Sequence, residues 1–145
     1  MIRAWSTPHM DSVIIVTKRD FALEQLRRTI PSSYNVNDAA NECIVIERGG
    51  RRAYLRADAR VADEMESEEA SRVLGLIADP IFYTLDFSDI DLCKELLLAI
   101  ADRGDLVIDN DHGIVLPGSE FARVLRSQGD WDWRRDALPS SAQRP

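Results

Sequence analysis

The chain is poor in the residues that most small enzymes and stapled domains rely on. Its 145 residues contain two cysteines, Cys43 and Cys93, which is too few for a disulfide framework. They contain two histidines, His9 and His112, far apart in sequence. No Gly-x-Ser-x-Gly elbow, His-Glu-x-x-His, Cys-x-x-Cys or phosphate-binding loop occurs. The expectation is therefore a protein that is not an enzyme and holds no cofactor or metal. The longest apolar runs, Val13–Val16 and Leu96–Ala101, fall far short of the roughly 18–20 residues that span a bilayer. The first ten residues have neither the apolar stretch nor the cleavage site of a secretory signal, so the sequence reads as cytoplasmic. Positive charge is also in deficit, with 18 Lys and Arg against 25 Asp and Glu, a net charge of −7. That balance argues against nucleic acid and against an anionic membrane as partners.

What is present is negative charge in one place. Residues 58–111 hold 15 acids and four bases, a net −11, and the rest of the chain, with 14 bases and 10 acids, is at +4. A polarised chain can steer a cationic partner and speed its association, while some of the acids have ordinary work at helix starts and in turns.

The pattern of apolar residues predicts the elements. Ser12–Thr17 is β-branched with apolar side chains in succession, as in a strand covered on both faces. Asp20 is placed to cap a helix to about Ile30, and residues 31–40 read as loop. Cys43–Arg48 and Arg51–Ala57 flank Gly49-Gly50 and form the clearest hairpin, in a register that sets Glu47 against Arg52 and Ile44 against Leu55. Residues 58–66 read as an acidic connector. Ser67 then caps a helix with Val73, Leu74 and Ile77 inward, stopping at Asp79-Pro80. Ile81–Phe87 is a strand, and Ser88 caps a helix over about 89–103 that Gly104 ends. A second hairpin joins Leu106–Asp109 to Ile114–Leu116, and a last helix begins at Pro117–Ser119. The order predicts an α+β fold: a single domain over residues 1–137, with one mixed or mainly antiparallel sheet, two hairpins and about four helices. Residues 138–145 read as a disordered polar tail.

Four groups of residues are candidates for function. Asp109, Asp111 and Glu120 fall at positions 1, 3 and 12 of a calcium loop, but Gly113 and Ile114 stand where an oxygen ligand and the turning glycine belong, so a polar hairpin turn is the simpler reading. His112 beside Asp109 and Asp111, or Asp86 with both, is the only combination that offers hydrolytic or carboxylate-metal chemistry. On the helix over 89–103, Asp91, Glu95 and Asp102 align with Leu98, which is the pattern of an apolar anchor in a charged rim or of a helix buried on more than half its circumference. Arg48, Arg51, Arg52 and Arg56 cluster on the first hairpin, where guarding a sheet edge explains them better than nucleic-acid binding.

Three segments carry a family resemblance: Ile81–Asp89, Ile108–Gly113 and Gly118–Phe121. Over residues 81–121 this strand–helix–hairpin–helix pattern with acidic punctuation resembles bacterial immunity proteins of polymorphic and contact-dependent growth-inhibition toxin systems. The resemblance implies a protein that binds and neutralises a cognate toxin domain, commonly a nuclease with a basic cleft. The expected partner-binding residues are Glu64, Glu66, Asp91, Glu95, Leu98, Asp102, Asp109, Asp111 and His112. A small acidic regulatory or adaptor domain with another protein partner shares the charge argument without the toxin.

Overall fold

The computed structural model describes residues 10–101 and 105–139. Seven strands and five helices follow one another among them: β1 (Asp11–Lys18), α1 (Leu23–Thr29), β2 (Asn35–Ala39), β3 (Cys43–Arg48), β4 (Arg51–Ala57), α2 (Arg60–Glu64), α3 (Ser67–Leu76), β5 (Pro80–Phe87), α4 (Ile90–Ala101), β6 (Leu106–Asp109), β7 (Val115–Pro117) and α5 (Gly118–Ser127). The strands form a single sheet in the order β2-β3-β4-β5-β1-β6-β7. Every pairing is antiparallel, so the fold is α+β.

β1 lies between β5 and β6 and sets the layering. Its residues alternate between two cores. Val13 and Ile15 face α1, α4 and α5, whose Leu26, Leu92, Leu96, Ile100, Phe121 and Val124 fill the larger core. Ile14 and Val16 face the opposite way, onto Val61 of α2, Val73 of α3 and Ile77 just past its end. The run of apolar residues in β1 is thus used on both sides, as the sequence implies. The first hairpin has the predicted register, with Glu47 opposite Arg52, Ile46 opposite Ala53 and Ile44 opposite Leu55. Gly49 and Gly50 turn it at φ 59° and 79°, a region costly for residues with a Cβ.

Several local expectations are corrected. The loop over 31–40 contains β2, which adds an edge strand to the first hairpin; its polar exposed residues carry no alternation to reveal it. The acidic connector contains α2. Asp20 does not cap α1, which starts at Leu23 with the Gln25 side chain accepting from the Ala22 N–H. Glu66, not Ser67, occupies the cap position of α3, and Asp89 rather than Ser88 caps α4 through the Leu92 N–H at 2.9 Å. Leu74 is 60% exposed, because α3 meets the sheet only through the Val73–Ile77 line. Gly104 lies outside the described residues.

The segment after α5, which has no regular secondary structure, packs into the domain. Trp131 and Trp133 are buried and complete the larger core. Trp133 meets Phe87 and Phe121 edge-on at 6.1 and 5.5 Å between centroids, and Trp131 packs on both Phe121 and Trp133. The segment is tied down by polar contacts. Arg134 donates to both Asp132 oxygens, at 2.9 and 2.8 Å, and to Asp11 of β1 at 3.0 Å. The Arg134 guanidinium holds the Asp132 carboxyl down at about 2. Leu138, assigned to the tail by sequence, packs against the larger core, and residues 140–145 lie outside the described residues.

Two outcomes follow for stability. Trp133→Ala should cost about 3–5 kcal/mol in urea unfolding through the cavity it leaves. Arg134→Ala should cost about 1–3 kcal/mol by removing the guanidinium hydrogen bonds to Asp132 and Asp11. Because Asp132 is depressed in the folded state, its contribution is complete above an unfolded carboxylate value of about 4 and is lost as pH falls towards about 2. An unfolding midpoint that stays level between those pH values would contradict it.

Candidate functional site

The expected partner-binding residues separate onto the two faces of the sheet. Asp91, Glu95 and Leu98 belong to α4, over the larger core. Asp91 is exposed, but Leu98 is only half-exposed and packs on that core, so it is no protruding anchor. Glu95 is already engaged: its carboxylate accepts from Tyr34 Oη at 2.6 Å and from Arg51 Nη1 at 3.3 Å, with Arg48 at 3.9 Å. Asp102 lies outside the described residues. The four arginines of the first hairpin are likewise neutralised. Arg51 also lies 3.6 Å from Asp89, Arg52 pairs with Glu47, and Arg56 lies 3.3 Å from Asp86 while donating to Thr84. They do not guard an edge, since β3 and β4 are interior to the sheet.

Glu64, Asp109, Asp111 and His112 collect near the opposite face. The alternation of the strands places Ser12, Asp86, Thr84 and Arg56 on that face beside the apolar residues that α2 and α3 cover. Where the helices stop covering the sheet, a cleft of about 270 Å³ opens, lined by Ser12, Arg56, Asp58, Glu64, Glu69 and Asp111 among others. Glu66 is exposed just before α3. Two distant acidic stretches therefore converge: 58–69, folded as α2 and the first turn of α3, and the turn that follows β6. Glu69, absent from the sequence-derived set because it stands at a helix start where acids are expected, is the residue that joins them.

The turn is built by its own side chains. Asp109 Oδ1 accepts the Asp111 N–H, and Asn110 Oδ1 accepts the N–H groups of His112 and Ile114, each at 2.9 Å. Asp111 and Gly113 adopt φ of 64° and 94°. Asn110 is fully buried, and its Nδ2 reaches the Trp133 carbonyl at 3.4 Å. These bonds give the turn a structural role and hold His112 outward in solvent.

Asp109 is the anomaly. It is completely buried, and its Oδ2 has no hydrogen-bond donor. Burial, then the adjacent Glu69 carboxyl, push its carboxyl up to about 8. Asp111 is also raised, by desolvation in the cleft wall and by the charge of Glu69. A proton on Asp109 supplies the donor that the buried pair otherwise lacks. Burial pushes the thiols of both Cys43 and Cys93 up, which disfavours their thiolate forms. Asp86 is held by Ser12 at 2.5 Å and by Arg56. Among the described residues, no three His, Cys, Asp or Glu side chains are arranged to hold a metal ion.

No described helix is long and apolar enough to cross a membrane. Comparison of the chain with known protein families, with curated proteins and with solved structures finds no match.

Replacing Asp109 by Asn tests the buried carboxyl. A folded-state value above the unfolded one means that the native protein binds the extra proton, so stability falls as pH rises from about 4 towards about 8. Asp109→Asn keeps the acceptor for Asp111 and removes the ionisation. It should be the more stable protein at pH 7–8, by about 1–3 kcal/mol, with the gain shrinking towards pH 4. Equal urea midpoints for the two proteins across that range would overturn the assignment.

Proposed function

We propose that the chain is an inhibitory binding protein of the immunity type, acting in the cytoplasm by occupying a cognate toxin domain whose binding surface is basic. The observation that carries this reading is the convergence of residues 58–69 with the Asp111 turn on one cleft. In residues 58–69 six acids face one base, Arg60, which lies 3.6 Å from Asp58. Glu64 lines the cleft, and with the exposed Asp63, Glu66 and Glu68 of the same segment it gives this side of the molecule a negative potential, as the phosphates of a nucleic acid would present it to a nuclease.

Such an inhibitor needs no chemistry of its own. It needs a rigid surface of roughly 800 Å² and a field that brings the partner to it. Rigidity comes from the sheet beneath, and the field from acids that fold into no ion pair. The exposed carboxylates set the rate of encounter, and contacts inside the cleft set the rate of dissociation.

The decisive experiment is co-expression with the toxin domain encoded beside the gene, followed by co-purification and a growth-rescue assay. Binding and rescue are expected, and failure of both would overturn the reading. Glu64→Lys, Glu66→Lys and Glu68→Lys together should leave folding intact, because exposed charges contribute little to stability. They should slow association by about tenfold or more at low salt, with a smaller difference at high salt. An unchanged association rate would put the interface on the α4 side, at Asp91.

A further inference from the structure

β4 and β5 end unevenly, and a second cleft lies where they differ. β4 stops at Ala57, opposite Tyr83, while β5 reaches back to Pro80. The strand edge left over is closed to another strand. Pro80 has no N–H to offer, and the Phe82 carbonyl already accepts the Asp58 N–H at 3.0 Å. What remains is space for a side chain. The cleft, of about 440 Å³, is lined by Ile81, Phe82 and Tyr83 of β5 and by Leu23 at the start of α1. Ala22, Ala57, Ala59 and Ala62 complete the wall, and their short side chains leave the volume open. Ala59 and Ala62 stand one helical turn apart at α2, whereas Val61 and Glu64 line the cleft described above. α2 is therefore a ridge between two clefts.

The charge at the mouth of this second cleft is left negative. Arg19, the cation of its lining, is held by Asp79 through two bonds, at 2.8 and 3.0 Å. Asp58 lies 3.6 Å from Arg60, but no ion pair among the described residues includes Glu42. Glu42 is exposed, and its backbone is fixed: Ala57 donates to its carbonyl at 3.1 Å, and Asn41 and Glu42 adopt φ of 60° and 54°. A glycine would make that turn without the strain a glutamate meets there. Burial and, less strongly, the Glu42 charge push the Tyr83 phenol up, which sets the carboxylate beside the apolar lining. Asp63, one turn on from Ala59 and exposed, adds a further carboxylate on this side.

We propose that the cleft at Ile81–Tyr83 receives one large apolar side chain of the partner, an aromatic ring in preference, from a segment in which lysine or arginine flanks that residue. Phe82 and Tyr83 in the wall favour a ring, and the alanines leave room for it. Glu42 meets the flanking cation at the mouth, so the site is an apolar anchor point inside a charged rim. The same carboxylate repels an acidic segment that carries the same ring. The choice of partner rests on the immunity reading, since one basic surface laid over α2 reaches this cleft and the Glu64 cleft together. The chemistry of the cleft can be read without the toxin.

The test uses the full chain and two end-capped tripeptides that share a ring, Lys-Trp-Lys and Glu-Trp-Glu. Lys-Trp-Lys should bind saturably and move the amide resonances of Leu23, Glu42 and residues 57–62 and 81–83. Glu-Trp-Glu should bind about tenfold more weakly at low salt, with the difference shrinking as salt rises. Ala62→Trp, which fills the cleft from an exposed helix position, should abolish Lys-Trp-Lys binding while unfolding at the wild-type temperature. Glu42→Gly should weaken Lys-Trp-Lys several-fold yet unfold no earlier than wild type, because glycine takes a φ of 54° without strain. The proposal is overturned by absent saturation, by shifts centred on another surface, by equal affinity for the two peptides at low salt, or by wild-type affinity in Ala62→Trp or Glu42→Gly. If Ala62→Trp unfolds early, Ala59→Trp on the same wall replaces it, with the same loss required. In the toxin complex, Ala62→Trp should raise the dissociation rate about tenfold or more. A toxin that binds this variant as it binds wild type overturns the proposal. A toxin that binds neither, while Lys-Trp-Lys still seats, removes the immunity reading and leaves the cleft.

Discussion

The burial of β1 on both faces is the constraint from which the rest of the architecture follows. A strand with Val13 and Ile15 on one side and Ile14 and Val16 on the other cannot lie at an edge or face water. It demands neighbours on both sides, supplied by β5 and β6, and helices on both faces. The two faces are supplied unequally. Three helices and the tryptophan segment cover one, but only the short α2 and α3 cover the other. The second face therefore runs out of apolar cover part-way across the sheet, and its remaining positions are polar. The cleft is the boundary where that cover ends.

That boundary explains why one carboxyl behaves unlike its neighbours. Asp109 pairs with Ile14 across the sheet and is enclosed like the apolar residues of its row. Asp111, two residues on, is already exposed. The alternation of a strand leaves Asp109 no choice of face, since moving it by one residue would turn Val107 outward as well. Its carboxyl is the cost of ending an apolar strand inside the protein, and the neighbouring Glu69 raises that cost further.

Much of the fold is legible in the sequence wherever pattern and packing agree. β1, the Gly49-Gly50 hairpin with its register, and the strand over 81–87 follow from alternation and turn chemistry alone. β2 does not, because an exposed edge strand such as Asn35–Ala39 has no apolar face to report. The packing of the tryptophan segment is not legible either: it has no periodicity, and its burial is fixed by Phe87 and Phe121, the former distant in sequence. The site divides in the same way. The chain order shows that acids are dense between 58 and 111, but only the topology separates Glu95, locked into Tyr34 and Arg51, from Glu64 and Asp111, left unpaired at a cleft.

The tie between Arg134 and Asp11 joins the last described segment to the first strand, 123 positions away. β1 is synthesised early, yet its pairing partners at 80–87 and 106–109, and the ring of Trp133 that closes the core beside it, emerge late. Such long-range closure makes a high contact order and a slow fold. The emerging chain carries a two-faced apolar strand whose pairing partners follow only with residues 80–87 and 106–109. Residues 58–69, with six acids and one base, are translated between β1 and those partners, and like charge on an unfinished chain opposes its self-association.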